Sequence, residues 1–201
     1  MKLSIAIAAC ALVLLFLAAP AWADSDDAEM AFVRGKIYLF ANKNIEAAKW
    51  FRKAAEQGNA FAQYNLGQMY RSGKGILQGY SEAARWYRMS AEQGHVLAQY
   101  SLGLMYRMGQ GVPQDYSEAE RWFRKAAEQG HQGAQSNLGT MYGIGIVVPR
   151  NYVLAHMWFN LSAISGNETG RRNRDLLAKQ MTSQQIAEAL RLAREWKPKK
   201  E

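Results

Sequence analysis

Apolar residues along this chain fall at helical spacing, with polar residues filling the positions between them. Between Ser117 and Gly130, Ala119, Trp122, Phe123, Ala126 and Ala127 sit at i, i+3, i+4, i+7 and i+8, which is one stripe of a helix. Asp115 stands where the N-cap belongs with Glu118 three residues on, so a capping box is expected; Gly79 and Asn151 hold the equivalent cap positions. Gly130 follows the stripe as a residue able to turn left-handed and end the helix. A second stripe, Ala62, Leu66, Met69 and Tyr70, predicts a helix over Ala60–Ser72, with Gly67 letting a neighbouring backbone come close. Glycine-rich loops follow at Gly73–Gly75, Gly109–Gly111 and Gly145, and Pro113 and Pro149 keep a helix from running through them.

The pattern repeats. Trp50, Trp86, Trp122 and Trp158 step by 36 residues, as do Gly58, Gly94, Gly130 and Gly166. Neither helix of the unit can bury its stripe alone, so stacked neighbours must supply the core, which is the logic of an α-solenoid. The run Ala91-Glu92-Gln93-Gly94, the stretch Ala98–Tyr106 and the loop Gly109–Tyr116 resemble the Sel-one-like repeat, a relative of the tetratricopeptide repeat, over about residues 28–166. The resemblance implies an all-α fold: a right-handed α-solenoid of antiparallel helix pairs that serves as a protein-binding scaffold. The third copy departs from it at Val147, which replaces the second loop glycine, and at Ser136, which replaces a tyrosine. These departures leave the fold expectation intact and count against binding in that copy.

The ends differ from the repeats. Residues 1–23 read as a secretory signal, with Lys2, an apolar run from Leu3 to Ala19, and an Ala21-Trp22-Ala23 cleavage site before acidic Asp24, Asp26 and Asp27. A retained anchor is the alternative reading of the same apolar run. Residues 24–45 form an N-terminal half-repeat cap, 46–153 three full copies, and 154–201 a partial copy with a basic C-terminal cap. In that cap Leu176, Leu177 and Met181 stay apolar while Arg171, Arg172, Arg174 and Lys179 turn outward. Thr182 to Gln185 reads as a capping box, and Ile186, Leu190 and Trp196 stripe a last helix, so a capping helix pair closes the stack.

Composition narrows the functional classes. Cys10 is the only cysteine and lies in the signal, so the exported chain would carry no disulfide, thiolate metal site or cysteine nucleophile. The net charge of +8 is concentrated at the end, where residues 150–201 hold ten Lys or Arg against five Asp or Glu. A solvated capping face accounts for this, and an acidic partner or anionic lipid surface is the sharper alternative. Nucleic acid is not expected, since no groove-reading motif accompanies the charge. A periplasmic or secreted monomer is expected, with no stable membrane insertion after cleavage.

Catalytic signatures are missing. The sequence has no H-E-x-x-H, G-x-S-x-G or S-x-x-K, and its G-x-G pairs follow helices rather than strands. His95 and His131 are one period apart and directly follow the helix-ending glycines, so a structural role is expected rather than metal ligation. Glu56, Glu92 and Glu128 are expected to pair at i, i+4 with Arg52, Arg88 and Arg124. No enzyme activity, cofactor or metal is expected. An envelope hydrolase acting on a β-lactam or peptidoglycan, which the resemblance to cysteine-rich members implies, is disfavoured by the missing cysteines and S-x-x-K.

A second face of the first helices is left for binding. It carries Phe61, Tyr64, Gln68 and Arg71 in copy one, and Leu97, Tyr100, Leu104 and Arg107 in copy two. Copy three offers only Gly133, Ser136, Thr140 and Gly143, while the half-repeat adds Phe32 and Lys36. By resemblance to tetratricopeptide packing this face lines the concave groove. An aromatic ladder, Phe32–Tyr64–Tyr100, flanked by cations suits a protein partner presenting an acidic peptide segment, such as an envelope membrane protein. Two alternatives stand beside it: the tyrosines simply pack between repeats, or they bind glycan or peptidoglycan.

Overall fold

The computed structural model describes residues 27–199, and the expected signal, with Cys10 and the cleavage point after Ala23, lies outside them. The described residues form ten helices: α1 (Ala28–Phe40), α2 (Asn44–Glu56), α3 (Ala60–Ser72), α4 (Tyr80–Glu92), α5 (Val96–Met108), α6 (Tyr116–Glu128), α7 (Gln132–Ile144), α8 (Tyr152–Ile164), α9 (Glu168–Ala178) and α10 (Ser183–Glu195). The first eight pack as consecutive pairs, and each second helix also packs on the first helix of the following pair. Short loops between paired helices make them antiparallel neighbours, and the result is an α-solenoid.

The stripes read from sequence are the core. Ala119, Phe123, Ala126 and Ala127 of α6 are fully buried with Trp122 nearly so, and Ala62, Leu66 and Met69 do the same for α3. The aromatic ring of each second helix rests over a helical glycine. A Cβ at Gly67 would sit 2.7 Å from Tyr87 Cδ1, and one at Gly103 would sit 2.7 Å from Phe123 Cδ1. Close approach of the paired helices therefore depends on a missing side chain.

Polar rungs cross the stack. Gln63 Nε2 donates to the Ala55 carbonyl at 3.1 Å, and Gln99 and Gln135 repeat the bond to Ala91 and Ala127 at 3.2 and 3.3 Å. Elsewhere, Arg52 donates to the Tyr70 hydroxyl at 2.7 Å, Arg88 to Tyr106 at 2.6 Å and Arg124 to Tyr142 at 3.0 Å. These bonds stand in place of the expected pairs with Glu56, Glu92 and Glu128, and Arg124 also pairs with Glu120, four residues before it. An exposed i, i+4 ion pair is weak, whereas a phenol held on the facing helix offers a fixed acceptor. Tyr70 is accordingly half-buried rather than part of the core stripe.

Helix ends follow expectation with one correction. Asp115 caps α6 by accepting from the Ser117 and Glu118 amides at 2.8 and 3.0 Å. Its capping box does not close, because the Glu118 carboxylate takes Arg121 at 2.8 Å and the Trp122 indole at 3.1 Å. The Thr182–Gln185 box on α10 is complete.

Both closing helices dock on α8. On α10 the buried face is Ala189 and Ala193, with Trp196 against Trp158 at 6.2 Å, and Leu190 is exposed. Small residues let α10 settle on α8, which turns the expected Ile186–Leu190 stripe partly outward. Helix α9 buries only Gly170; Leu176 is exposed, while Arg174 turns inward to donate to Asn160 Oδ1 at 3.1 Å.

Candidate partner-binding groove

The first helices of the pairs present a common face, and Phe32, Phe61, Tyr64 and Tyr100 lie on it. Tyr64 of α3 and Tyr100 of α5 occupy equivalent positions, and both are half-buried. Tyr64 lies 5.8 Å from the Tyr87 ring and 4.8 Å from His95, and Tyr100 lies 5.9 Å from Phe123 and 4.3 Å from His131. Each tyrosine thus packs between repeats and also shows an edge to the surface. The expected ladder is interleaved with histidines.

Those histidines have a structural duty. His95 Nδ1 accepts from the Ala98 amide at 3.3 Å, and His131 Nδ1 from the Ala134 amide at 3.1 Å, so each caps the helix it precedes. Burial holds both imidazoles below the ordinary histidine range, which keeps Nδ1 available as an acceptor. Asn59 and Asn167 fill the same position in the outer units, accepting from Ala62 and Gly170 amides at 2.8 and 2.7 Å.

Between α3 and α5 lies a groove of about 250 Å³, lined by Tyr64, Gln68, Arg71, Leu97, Tyr100 and Leu104, with Ser101, Met105, Met108, Gln110 and His131 completing it. Six of the ten residues expected on this face thus converge on one depression. The other four lie outside its lining. Phe32 contacts Phe51 and Phe61 at 6.0 Å each, with Lys36 Nζ 5.6 Å from its ring. Phe61 is 56 % exposed and meets His95 edge-on at 4.9 Å. Arg107 points to the following repeat, donating to Asn137 Oδ1 at 2.8 Å.

The groove has an apolar floor and a polar end. Leu97 and Met108 are 44 % and 45 % exposed, and Leu104 lies between them on the same helix. At the other end Arg71 donates to Gln68 Oε1 from Nε at 3.3 Å and from Nη2 at 3.1 Å. Gln68 Nε2 in turn donates to the Tyr64 hydroxyl at 2.6 Å. At the junction of copies two and three, Gly133 lets the Tyr100 ring lie down on α7. A Cβ at Gly133 would come within 3.0 Å of Tyr100 Cζ.

Sequence reading missed Ser101, Met105, Met108, Gln110 and His131, and the Tyr87 hydroxyl beneath. Met108 belongs to the last turn of α5 and lies on the same stripe, four residues after Leu104, where the reading of that face took Arg107 instead. Tyr87 sits in the core stripe, so its polar tip is visible only by comparison with Phe51, Phe123 and Phe159 at the equivalent places.

A second hollow of about 320 Å³ lies on α9 among Glu168, Arg171, Arg172, Asp175, Leu176 and Lys179. Its charge is partly compensated, since Arg171 pairs with Glu168, and Arg174 pairs with Asp175 at 2.8 Å. Among the described residues no group of three His, Cys, Asp or Glu could hold a metal ion, and no helix is long and apolar enough to cross a membrane.

The Sel1 repeat pattern matches this chain four times, over residues 28–59, 60–95, 96–131 and 133–167, each unit opening on the first helix of a pair. A Sel1 repeat protein from Oxalobacter formigenes has a similar structure, with a TM-score of 0.77 at 30 % identity over 93 % of this chain and 76 % of that one. The protective antigen c5321 of uropathogenic Escherichia coli strains, which displays an SLR fold, is similar at 29 % identity and a TM-score of 0.60 over 87 % of this chain and 46 % of its own. No curated protein matches the chain. Sel1 repeat proteins generally serve as scaffolds for protein interaction and are typically non-catalytic. With four repeats in register on an all-helical solenoid, the chain belongs to the Sel1 repeat family.

Proposed function

We propose that this protein is a non-catalytic scaffold or adaptor of the cell envelope, exported with cleavage after Ala23, that binds a protein partner in the groove between α3 and α5. The observation that carries the reading is the convergence of Tyr64, Gln68, Arg71, Leu97, Tyr100 and Leu104 on one depression with an apolar floor and a cationic end. Exposed leucine and methionine beside tyrosine and arginine is the composition of an interface anchor. The partner presents an apolar side chain together with a negative charge, as an acidic segment of an envelope membrane protein would.

Crosslinking and affinity capture from the native envelope tests this, with Arg71→Gln plus Leu104→Asp in parallel. Arg71 faces the groove from the last turn of α3, and Leu104 faces it while also packing against the core beneath, so folding is checked beside capture. Tyr100→Ala is less informative, since the ring also packs on Phe123 and His131. Capture of one protein by the wild type and its loss in the double variant, with helicity unchanged, is expected. A partner retained by the double variant would overturn the groove and direct attention to the basic cap.

A further inference from the structure

The polar end of the groove is built from the core upward. Tyr87 is 0 % exposed, its ring lies over Gly67, and its hydroxyl donates to Gln68 Oε1 at 2.9 Å. The same oxygen accepts from Arg71 Nε and Nη2 at 3.3 and 3.1 Å. Three donors from two helices therefore converge on a single amide oxygen. An amide oxygen carries only a partial charge, whereas a guanidinium fork is best satisfied by a carboxylate taking both N–H groups. Burial pushes the Tyr87 phenol up to about 12, so it remains a donor. None of the residues lining the groove is acidic.

Size restricts what brings the carboxylate. At about 250 Å³ the groove is smaller than a small-molecule pocket, which runs to roughly 300–1,000 Å³, and suits one residue rather than a long segment. The apolar floor of Leu97, Leu104 and Met108 lies in the same depression. A chain terminus carries its carboxylate and its side chain on one Cα. An internal Asp or Glu would bring the anion on its own side chain and leave the floor for another residue.

We infer that the groove receives the C-terminal residue of a partner polypeptide, its free carboxylate displacing Gln68 Oε1 on Arg71 and Tyr87 and its aliphatic side chain lying on Leu97, Leu104 and Met108. This rests on the groove being the partner site. C-terminal carboxylate capture is an established mode of peptide recognition, and here its donors are one guanidinium and one buried phenol.

Fluorescence polarisation tests it on the full-length protein. The probes are labelled hexapeptides, random at five positions and ending in leucine, as the free acid or the C-terminal amide. A third pool has an internal glutamate and an amidated end. The free-acid pool is expected to bind at least about tenfold more tightly than either amide, the range for a charge-assisted pair. Arg71→Gln should erase the preference. Tyr87→Phe, which installs the residue of the other three units and so leaves the packing intact, should weaken it several-fold. Equal binding of acid and amide pools would overturn the inference, as would a preference that survives both substitutions. If envelope capture still depends on Arg71 and Leu104 while the pools bind alike, the terminal-residue inference falls and the scaffold reading stands. If capture is insensitive to the groove and the pools bind alike, both fall.

Discussion

Gln93 Nε2 lies 2.7 Å from the Oε1 of Gln63, thirty residues earlier in the chain, and donates to it from the end of α4 across to α3. Gln129 makes the same bond to Gln99 at 3.1 Å. Gln63 and Gln99 each donate onward to a backbone carbonyl, so every junction that carries the pair has a satisfied polar rung through an apolar core. The rung is incomplete in the last unit. Ser165 stands where a glutamine would, and Gln135 Oε1 is buried without a hydrogen-bond partner.

Ser165→Gln should therefore stabilise the protein. The new side chain starts from the helix end that Gln93 and Gln129 occupy, and it supplies the missing donor to a buried acceptor, worth about 1 kcal/mol. The expected result is a higher urea midpoint at unchanged slope. The converse, Gln129→Ala, should lose about 1–3 kcal/mol by leaving Gln99 Oε1 buried and unmatched. No gain from Ser165→Gln would mean that Gln135 is not the orphan it resembles.

Val147 holds a left-handed backbone with φ of 66°, at the position where Gly75 and Gly111 have φ of 75° and 71°. A branched side chain there costs about 1–2 kcal/mol, partly offset by the greater unfolded-state entropy of glycine. Val147→Gly is expected to stabilise by about 1 kcal/mol in equilibrium unfolding. Gly111→Val should be far worse, because a Cβ at Gly111 would lie 2.2 Å from the Tyr80 carbonyl carbon, a backbone atom that has little freedom to move. Similar effects of opposite sign at the two sites would show that only the backbone conformation matters.

Two helical glycines should respond oppositely to alanine. Gly103→Ala forces a methyl to within 2.7 Å of Phe123 Cδ1 and 3.3 Å of the Ala119 carbonyl oxygen, so the helix pair must separate, at about 1–3 kcal/mol. Gly143→Ala meets only Ala155 Cβ at 3.8 Å and should gain about 0.5–1 kcal/mol from helix propensity. Thermal melts of the two variants decide it, and a loss at both would place Gly143 under a constraint other than packing.

The repeat made most of the fold legible. A stripe that recurs every 36 residues reports burial repeatedly, and Ala119, Trp122, Phe123, Ala126 and Ala127 are buried as their spacing demands. Interactions between helices were harder to read. Arg52 bonds Tyr70, eighteen residues away, and local spacing offered Glu56 instead. Leu190 is apolar yet exposed, because the alanines beside it permit a closer contact with α8. The groove was legible where its side chains come from the outward face of α3 and α5. It was hidden where they rise from the core, since Tyr87 occupies a place that hydrophobic spacing alone explains.

The capping histidines make stability depend on pH. His95 and His131 accept backbone N–H groups through Nδ1 and are held below the ordinary histidine range chiefly by burial. Protonation would put a donor and a positive charge against the N-terminus of α5 and of α7, where the helix dipole opposes both. A folded-state value below the unfolded one means that the unfolded chain binds more protons as pH falls below about 6.5. The stabilisation is fully present above that pH and is lost as pH falls through the folded-state values. His156 adds to the same trend, held down first by burial and then by Arg174, with Asp175 opposing. His95→Asn with His131→Asn separates the contributions, since Asn59 and Asn167 already cap α3 and α9 with an amide oxygen that does not titrate. The double variant loses the ring contacts with Phe61, Tyr64 and Tyr100 and should start below the wild type near pH 7.5, but its urea midpoint should fall less than the wild type's between pH 7.5 and pH 5. The residual slope then belongs to His156. A double variant as acid-sensitive as the wild type would show that the caps do not carry the pH dependence.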